Sequence, residues 1–420
     1  MDKCDVLVVG GGPGGVPAAV AAARMGARTV LVERYGFLGG MATAGLVNPY
    51  MEYWAGQRQL SRGIFAEIID HLDRAGGLAA DRQTFDEEIL KLVLDDLVHE
   101  ANVRVLFHTT FVTCAASGGT IKGARFTSKG GSFEIESAIY ADATGDGDLA
   151  AAAGARVEIG RKEDGLCQPM TLCFRIAGIN RKALPESHRE MAKVLNDVYL
   201  AAKEAGTVHN PRENILVFKT MRDDVLHFNT TRVVGKSALR PETLSEAEFE
   251  GRRQTAELVK LFRAKAPGFE NAYLQKMAAQ IGVRESRRVI GDYVLQADDV
   301  VSARKFPDAI ACSSYPVDIH NPAGTGTVIK PVPEGDWYEI PYRAIVPTGT
   351  TNLLMAARAI SATHEAHSSL RVMPVVAGIG QAAGTAAAMA AAGHVRPAEI
   401  DAKKLRVNLR KAGAFIGDGE

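Results

Sequence analysis

Residues 5–33 constrain the fold of this chain more than any other stretch. They contain a short apolar run at residues 6–9, a glycine-rich turn, a helix of small residues and a second apolar run that ends in Glu33. The turn has the pattern G-x-G-x-x-G, formed by Gly10, Gly12 and Gly15. A strand, a glycine turn, a helix, a second strand and a terminal acid make up the complete context of the dinucleotide-binding fingerprint. The sequence therefore predicts a Rossmann-like βαβ unit at its start.

Each residue of the turn has a physical role in this interpretation. Gly10 permits the tight turn, Gly12 lets the backbone approach a pyrophosphate, and Gly15 lets the helix pack closely on the strand. The helix N-terminus then offers free N–H groups and a partial positive charge to the phosphates. Pro17 lies in the first turn of the helix, where its missing N–H costs little. Glu33 stands where an acid can hold a ribose hydroxyl.

The composition argues against several classes of function. The chain has 420 residues, enough for two domains, and its 49 Lys and Arg residues balance its 49 Asp and Glu residues. Because the net charge is zero, neither a nucleic acid nor an anionic membrane is expected as a partner. The five cysteines include no C-x-x-C pair and are expected to be buried thiols in a reducing compartment. The first strand begins almost at once, so no signal peptide is expected and a cytoplasmic location is predicted.

The longest apolar stretch, residues 372–393, requires a choice between a membrane span and a buried helix. It is nearly uncharged and about long enough to cross a bilayer. It consists mostly of alanine and glycine, however, and contains Gln381, which favours a buried helix. Small side chains allow close helix packing, so we expect this helix to lie near the small face formed by Ala18, Ala19 and Ala22.

Three further patterns lie before residue 155. Gly39 and Gly40 form either an ordinary turn or a second glycine loop along the cofactor, and their position beside the fingerprint favours the loop. The aromatic cluster at residues 50–54 either lines a pocket or packs in the core. A buried strand ends in A-D-A-T-G-D-G-D at residues 141–148. The spacing of these acids is not that of an EF-hand, so a strand end beside the nucleotide is favoured and no metal is expected.

The pattern of elements changes twice along the chain. Residues 1–155 and 341–420 combine buried strands and helices, with a small antiparallel β-meander in the first part. Residues 156–340 alternate other strands with helices of their own. We therefore predict an α/β fold, in which a discontinuous nucleotide-binding domain of residues 1–155 and 341–420 holds an inserted α+β substrate domain of residues 156–340.

Four stretches of the chain together carry a resemblance to a known family. They are residues 8–43, 141–150, 281–295 and 338–388. The sequence resembles the FAD-dependent oxidoreductases whose fold is like that of glutathione reductase and the fumarate reductase flavoproteins, and looks closest to the bacterial group called simply FAD-dependent oxidoreductase. The first stretch is shared by many nucleotide-binding folds. The last, Y-E-I-P-Y-R-A-I-V-P through N-L-L-M-A-A-R-A-I-S-A-T-H-E-A-H-S-S-L-R-V-M-P, is much more specific.

The resemblance implies FAD as the cofactor and a path for it along the chain. It places the FAD pyrophosphate at Gly10, Gly12, Pro13, Gly14 and Gly15, and the adenosine ribose at Glu33. It places residues along the cofactor at Arg34, Gly39, Gly40, Met41 and Ala42, and at the strand end Thr144, Gly145 and Asp146. It places the ribityl chain and flavin ring near Arg358, Leu370, Arg371, Val372 and Met373. The chain departs from relatives that read A-G-R-C-I-S, because it has Ala357 and Ala359; the missing cysteine argues against a thiol role there.

Candidate groups for the chemistry follow from charge and proton affinity. The helix that begins at Met373 is expected to stabilise negative charge on the reduced flavin through its N-terminus. Histidine titrates near neutrality, so the candidates for proton transfer are His320, His364 and His367, each with a structural hydrogen-bonded role as the alternative. The candidates for holding a substrate carboxylate are Arg287, Arg343 and Arg371, each with a surface or ion-pair role as the alternative.

These features predict a flavoenzyme that transfers a hydride between FAD and a small organic substrate bearing a carboxylate or hydroxyl group. Its electron acceptor or donor is not indicated by the sequence. One alternative is a flavin monooxygenase that hydroxylates its substrate. An RNA-modifying flavoprotein is disfavoured, because the chain has no net charge and no stripe of aromatic and basic residues. A cofactor-binding protein without catalysis is the last alternative.

Overall fold

The computed structural model describes residues 2–419. The predicted βαβ unit is present as β1 (Asp2–Val9), α1 (Gly15–Arg24) and β2 (Thr29–Val32). The two strands pair in parallel, with Val6 opposite Thr29. Their apolar side chains are buried on both faces, as expected of strands inside a doubly covered parallel sheet.

The chain then continues through the rest of the first part of the fold. Its elements are β3 (Trp54–Ala55), β4 (Arg58–Gln59), α2 (Ile64–Arg74), α3 (Glu87–Glu100), β5 (Arg104–Leu106), β6 (Thr110–Ser117), β7 (Thr120–Ser128), β8 (Gly131–Asp142) and α4 (Asp148–Ala152). Helix α3 begins where the Asp86 carboxylate accepts hydrogen bonds from the N–H groups of Glu88 and Ile89.

The middle and the end of the chain add the remaining elements. The middle contains β9 (Val157–Ile159), β10 (Phe174–Ala177), α5 (His188–Glu204), β11 (Val217–Lys219), β12 (Leu226–Phe228), α6 (Pro241–Lys265), β13 (Tyr273–Met277), β14 (Arg287–Val289), α7 (Ala297–Val301), β15 (Ala309–Ser313), β16 (Val317–His320) and β17 (Thr327–Lys330). The end contains β18 (Tyr338–Pro341), β19 (Leu353–Met355), α8 (His364–Leu370), α9 (Met373–Gly393) and α10 (Ala402–Lys411). Short 3₁₀ turns cover Gly40–Ala42, Arg181–Ala183, Tyr342–Ala344 and Pro397–Glu399.

The principal sheet has seven strands in the order β5-β2-β1-β8-β7-β6, with β19 also pairing with β8. Strand β8 joins its two parts: its first half pairs antiparallel with β7, and its second half pairs in parallel with β1 and β19. The prediction of an α/β fold with a Rossmann-type parallel sheet and an antiparallel meander is confirmed. Since the carboxyl ends of parallel strands share one edge, β1, β2, β8 and β19 all end on the same side of the sheet.

Helix α9 packs against α1, as the small residues of both helices predicted. A Cβ atom at Gly380 would lie 2.0 Å from the carbonyl oxygen of Gly14, and one at Gly384 would lie 2.0 Å from that of Ala18. The two helices therefore touch through their backbones. Helix α9 is also long and apolar enough to span a membrane, but 78% of its most apolar window is buried inside the fold. This burial fits the prediction of a core helix.

The apolar core is divided into a large part and smaller parts. One smaller core lies between the sheet β11-β12-β10-β13 and helices α5 and α6, and includes Phe174, Tyr199 and Phe262. Residues from β14 to β18, such as Val289 and Ile340, belong instead to the large core around the principal sheet. The division of the chain at residues 155 and 340 stays a prediction.

The cysteines and the early aromatic cluster have structural surroundings. Cys4, Cys173 and Cys312 are buried, whereas Cys114 and Cys167 are partly exposed, which corrects the expectation that all five would be buried. In the aromatic cluster, Tyr50 and Tyr53 are buried and pack edge to face on Phe65. Of the two alternatives for these tyrosines, packing in the core is the one that the structure supports.

Candidate functional site

A cleft of about 1020 Å³ lies along the carboxyl edge of the principal sheet. It is bordered by many of the residues that the resemblance implies: Gly10, Gly12, Pro13, Gly14, Glu33, Arg34, Gly40, Met41, Thr144, Gly145, Asp146, Arg358, Arg371 and Met373. Gly39 and Ala42 border a smaller space behind Gly12. Gly15 and Leu370 are buried beside the cleft without bordering it, and Val372 borders a second cavity.

The glycines of the turn differ in the space around them. A Cβ atom at Gly10 would lie 2.4 Å from the carbonyl oxygen of Ala143, and one at Gly15 would lie 1.8 Å from that of Gly10. Gly10 also has a φ of 104°, which favours glycine. At Gly12, by contrast, the nearest protein atom is a Cα atom of Gly40 at 3.9 Å. Gly12 thus faces open space in the cleft, where a pyrophosphate can approach the backbone.

Glu33 fixes the turn from the end of β2. One oxygen of its carboxylate accepts a hydrogen bond from the Gly11 N–H at 2.7 Å, and the other accepts one from the Tyr35 N–H at 2.9 Å. Burial raises the pKa of this carboxyl group. The carboxylate borders the cleft and has lone pairs left for a ribose hydroxyl.

We expect the substitution Glu33→Gln to weaken FAD binding by about tenfold, because the amide loses one acceptor and brings its NH₂ group against a backbone N–H. Equilibrium dialysis of FAD against the apoprotein measures the change. Glu67→Gln is the control, since Glu67 pairs with Arg24 away from the cleft lining. An unchanged FAD affinity in Glu33→Gln would contradict the role given to this carboxylate.

The loop after β8 forms the opposite side of the cleft. The buried Asp142 carboxylate accepts hydrogen bonds from the N–H groups of Thr144, at 3.0 Å, and Ala150, at 2.8 Å. Burial raises the pKa of Asp142 to about 6. Asp146 pairs with Arg358 at 2.7 Å, and the Nε atom of Arg358 is buried without a hydrogen-bond partner within residues 2–419. The acids of this loop therefore shape the cleft and hold Arg358 in its wall; among the described residues, no group of three or more His, Cys, Asp or Glu side chains is placed to bind a metal.

A second cavity of about 1470 Å³ adjoins the cleft. The two spaces share Met41, Arg358, Arg371 and Met373. The polar side chains of the second cavity include Thr171, Arg212, Glu213, Asn229, Arg284, Asp318, His320 and Thr327. Its apolar side chains include Val47, Pro49, Met51, Leu216, Phe218, Val283, Pro316 and Ile329. A molecule in this cavity therefore lies against the same wall as the end of the cleft near Met373.

Helix α9 begins at the shared wall. Its first residue, Met373, borders both spaces, and Val376 one turn later borders the cleft. The first turn carries no acidic side chain, so its free N–H groups and partial positive charge are not offset locally. This position agrees with the expectation that the helix supports negative charge near its start.

Of the three candidate histidines, His320 is the one that borders the second cavity. Its Nδ1 atom lies 3.1 Å from Nη2 of Arg232, and its Nε2 atom lies 3.6 Å from Asp318. Because the guanidinium donates to Nδ1, the proton of the neutral ring is assigned to Nε2, which faces Asp318. Burial and the surrounding arginines, first among them Arg284, lower the pKa of His320. The ring is therefore neutral at physiological pH.

His364 and His367 lie behind the site and border neither space. His364 is buried, with Nδ1 2.8 Å from the Glu285 carboxylate. His367 is fully buried, and neither of its ring nitrogens has a hydrogen-bond partner within residues 2–419. Burial lowers the pKa of His367 as well. The structure thus does not bring these two candidates to the place where a substrate would meet the cofactor.

The candidate arginines also separate. Arg371 borders both spaces, whereas Arg287 sits at the rim, paired with Asp148 at 2.8 Å. Arg343 borders neither space: its half-exposed side chain pairs with Asp308 at 2.9 Å, so its expected role at the site is corrected to an ion pair.

Sequence reasoning missed two arginines of the second cavity. Arg284 belongs to the same basic cluster as Arg287 in residues 281–295, and the cluster itself was the signal. Arg212 lies between α5 and β11 and has no local sequence signal.

Comparisons with known proteins agree with this geometry. The profile of the family described as FAD dependent oxidoreductase matches residues 5–409. A digeranylgeranylglycerophospholipid reductase of Methanothrix thermoacetophila is 30% identical over 160 residues, which cover 34% of this chain and 39% of that protein. A leghemoglobin reductase of Glycine max is 54% identical over 39 residues, 9% of this chain and 8% of that protein. The chain thus matches well under half the length of either relative.

Solved structures share the fold at low sequence identity. A geranylgeranyl bacteriochlorophyll reductase-like protein from Thermoplasma acidophilum has a TM-score of 0.52 and 14% identity, covering 98% of this chain and 84% of that chain. The myxobacterial chondrochloren halogenase CndH has a TM-score of 0.50 and 13% identity, covering 98% of this chain and 79% of that chain. At this identity, the likeness concerns the fold alone.

Proposed function

This chain belongs to the family of FAD-dependent oxidoreductases, and we propose that it transfers a hydride between FAD and a small organic substrate held in the second cavity. FAD, when bound, supplies the redox chemistry, and the protein supplies orientation and proton handling. The observation that carries the proposal is the shared wall of Met41, Arg358, Arg371 and Met373 between the cleft and the second cavity. The open space at Gly12 and the position of Glu33 fit the pyrophosphate and ribose of this cofactor.

The shared wall provides positive charge at the end of the cleft. The N-terminus of α9 contributes N–H groups and a partial positive charge, and Arg358 is held there by Asp146. Both favour the reduced, negatively charged form of the cofactor, since fixed charges stabilise developing negative charge without reorganising. Arg371 borders both spaces and is placed to contact substrate and cofactor together.

We propose Asp318 as the group that receives the substrate proton. Asp318 and His320 alternate along β16, which places both on the cavity side of the strand. The Tyr315 hydroxyl donates to the Asp318 carboxylate at 3.0 Å, and burial raises the pKa of Tyr315, so this hydroxyl stays protonated. The neutral His320 ring then orients Asp318 and does not itself exchange a proton.

A pH profile separates Asp318 from His320. We expect Asp318→Asn to lower the rate of anaerobic cofactor reduction by about a hundredfold or more, which is the usual effect of losing a general base. We expect His320→Gln to keep the same profile between pH 5 and pH 8, because the lowered pKa of His320 leaves no ionisation in that range. Stopped-flow rates across this range provide the measurement. A limb near neutrality that disappears in His320→Gln would show that His320 is the titrating group.

The reaction type is tested without oxygen. The FAD-loaded protein is mixed anaerobically with a panel of small metabolites while its visible absorbance is followed. Bleaching of the flavin by a member of the panel, with formation of a dehydrogenated product, is the expected result. A product that appears only with oxygen and NAD(P)H and carries a new hydroxyl group would instead favour the monooxygenase alternative.

Other parts of the functional hypothesis stay predictions. These are the glutathione-reductase-like subfamily, the cytoplasmic location, the lack of a nucleic-acid or membrane partner and the unidentified electron acceptor or donor. Failure of the purified protein to bind transfer RNA at moderate salt would exclude the RNA-modifying alternative.

A further inference from the structure

We infer that the second cavity contains an anion site, built by Arg212, Arg284 and Arg371, that holds the carboxylate of an organic acid with an apolar body. The identification of this acid as the substrate rests on the proposed function. The anion site itself rests on the unpaired charges of the cavity wall.

Arg212 is the strongest element of the site. Its residue is 3% exposed, it borders the cavity, and its Nε atom is buried without a hydrogen-bond partner within residues 2–419. In the same part of the chain, no hydrogen bond or ion pair joins its guanidinium to a protein group. Burial, and next the charge of Arg232, lowers its pKa to about 10. A buried cation in this state gains free energy from any anion that reaches it.

The backbone around Arg212 is fixed, although its side chain has no partner. The N–H of Arg212 donates to the Asn210 side-chain oxygen at 3.0 Å. Its carbonyl oxygen accepts a hydrogen bond from the Tyr199 hydroxyl at 2.7 Å. The guanidinium is therefore presented from a rigid segment, which lowers the entropy cost of binding a ligand.

Arg284 adds a second charge that no carboxylate neutralises. Its guanidinium donates to neutral acceptors, the Pro169 carbonyl at 2.8 Å and the Thr171 hydroxyl at 2.5 Å. Burial and the charges of Arg371 and Arg212 lower its pKa to about 9. Three arginines thus repel one another across this wall, and a bound anion would relieve the repulsion.

The acids of the cavity do not cancel these charges. Glu213 pairs with Arg232 at 2.9 Å, and Arg358 is already paired with Asp146. Asp318 approaches Arg371 only to 3.8 Å. Arg212 and Arg284 therefore remain as net positive charge, and the fork of a guanidinium matches the two oxygens of a carboxylate.

The remaining walls indicate the rest of the ligand. The cavity is also bordered by Met51, Leu216, Phe218 and Ile329, among other apolar side chains. An inorganic anion would leave this surface uncovered. An acid with an aromatic or aliphatic body fills it, with the carboxylate at the arginines and the body along the apolar walls.

The test uses the FAD-loaded protein with 4-phenylbutyrate and its neutral analogue 4-phenylbutyramide as probes. Calorimetry gives both affinities, and thermal unfolding gives the shift of the midpoint. We expect the acid to raise the midpoint and to bind about tenfold or more tightly than the amide. Equal affinities for the acid and the amide, or binding of sulfate with no binding of the acid, would overturn the inference.

Variants locate the site within the cavity. Arg212→Met should weaken binding of the acid by about tenfold or more and leave binding of the amide unchanged. Arg343→Met is the matched control, because this arginine is paired with Asp308 outside the cavity and its loss should change neither affinity. If Arg212→Met does not fold, Arg212→Gln keeps a polar group at the position, and undiminished acid binding in either variant would contradict the assignment.

These outcomes are independent of the proposed reaction. Preferential binding of the acid together with an oxygen-dependent hydroxylation would overturn hydride transfer and support the anion site. Anaerobic reduction of the flavin by a neutral substrate, without preference for the acid probe, would support hydride transfer and overturn the anion site.

Discussion

Replacing Gly12 with alanine should weaken FAD binding by about a hundredfold while leaving the apoprotein as stable as the wild type. The reason is the unequal space around the glycines of the turn. The nearest protein atom to a Cβ at Gly12 lies 3.9 Å away, so the methyl group clashes with no part of the protein. It occupies the space through which the pyrophosphate reaches the backbone N–H groups, and the loss of about two charge-assisted hydrogen bonds accounts for the magnitude.

Gly14→Ala provides the matched control in the same turn. A Cβ atom there would lie 2.0 Å from the carbonyl oxygen of Ala356, so this substitution should destabilise the apoprotein itself by about 1–3 kcal/mol. Urea unfolding of both apoproteins and fluorescence titration with FAD provide the two measurements. Normal FAD affinity in Gly12→Ala, or destabilisation equal to that of Gly14→Ala, would contradict the role assigned to Gly12.

The parts of the fold that the sequence predicted are those specified by local spacing. The pattern of Gly10, Gly12 and Gly15 between two apolar runs is sufficient for the βαβ unit, because each glycine answers a steric need within that unit. The contact of α1 with α9 was predictable for a related reason. Two faces of small residues can bring their backbones together only against a similar face.

The chemistry of individual charged residues was less predictable, because it depends on partners distant in sequence. Arg343 finds Asp308, and His364 finds Glu285, through contacts that no local pattern indicates. Arg212 is notable for the opposite reason: its importance lies in having no partner in the described chain. Sequence reasoning selected arginines by their neighbours along the chain, whereas the cavity selects them by the absence of a neutralising carboxylate.

The extent of the inserted segment depends on long-range packing in the same way. Strand β15 pairs with β18, and β15 also packs against α9, so this part of the middle of the chain joins the large core. The alternation of strands and helices cannot show which core a strand enters. Residues around Phe174 and Phe262 form a core of their own, and they are the part of the insertion that packs separately.

The substitution Gly384→Ala should lower the free energy of unfolding by about 2–3 kcal/mol, although alanine is the better helix former. Gly384 lies in the middle of α9, and its added Cβ would stand 2.0 Å from the carbonyl oxygen of Ala18 in α1. Backbone atoms cannot move aside as a flexible side chain can, so the helices must separate. Denaturant unfolding of the variant and the wild type measures the difference.

Gly378→Ala in the same helix should have the opposite sign. Its Cβ would meet only the Ala311 side chain, at 3.4 Å, which is an ordinary van der Waals distance. The gain in helix propensity should then stabilise the protein by up to about 1 kcal/mol. Equal effects of the two substitutions would mean that the contact between α1 and α9 is not tight. Since the first turns of both helices border the FAD cleft, Gly384→Ala should also weaken FAD binding, and Gly378→Ala should not.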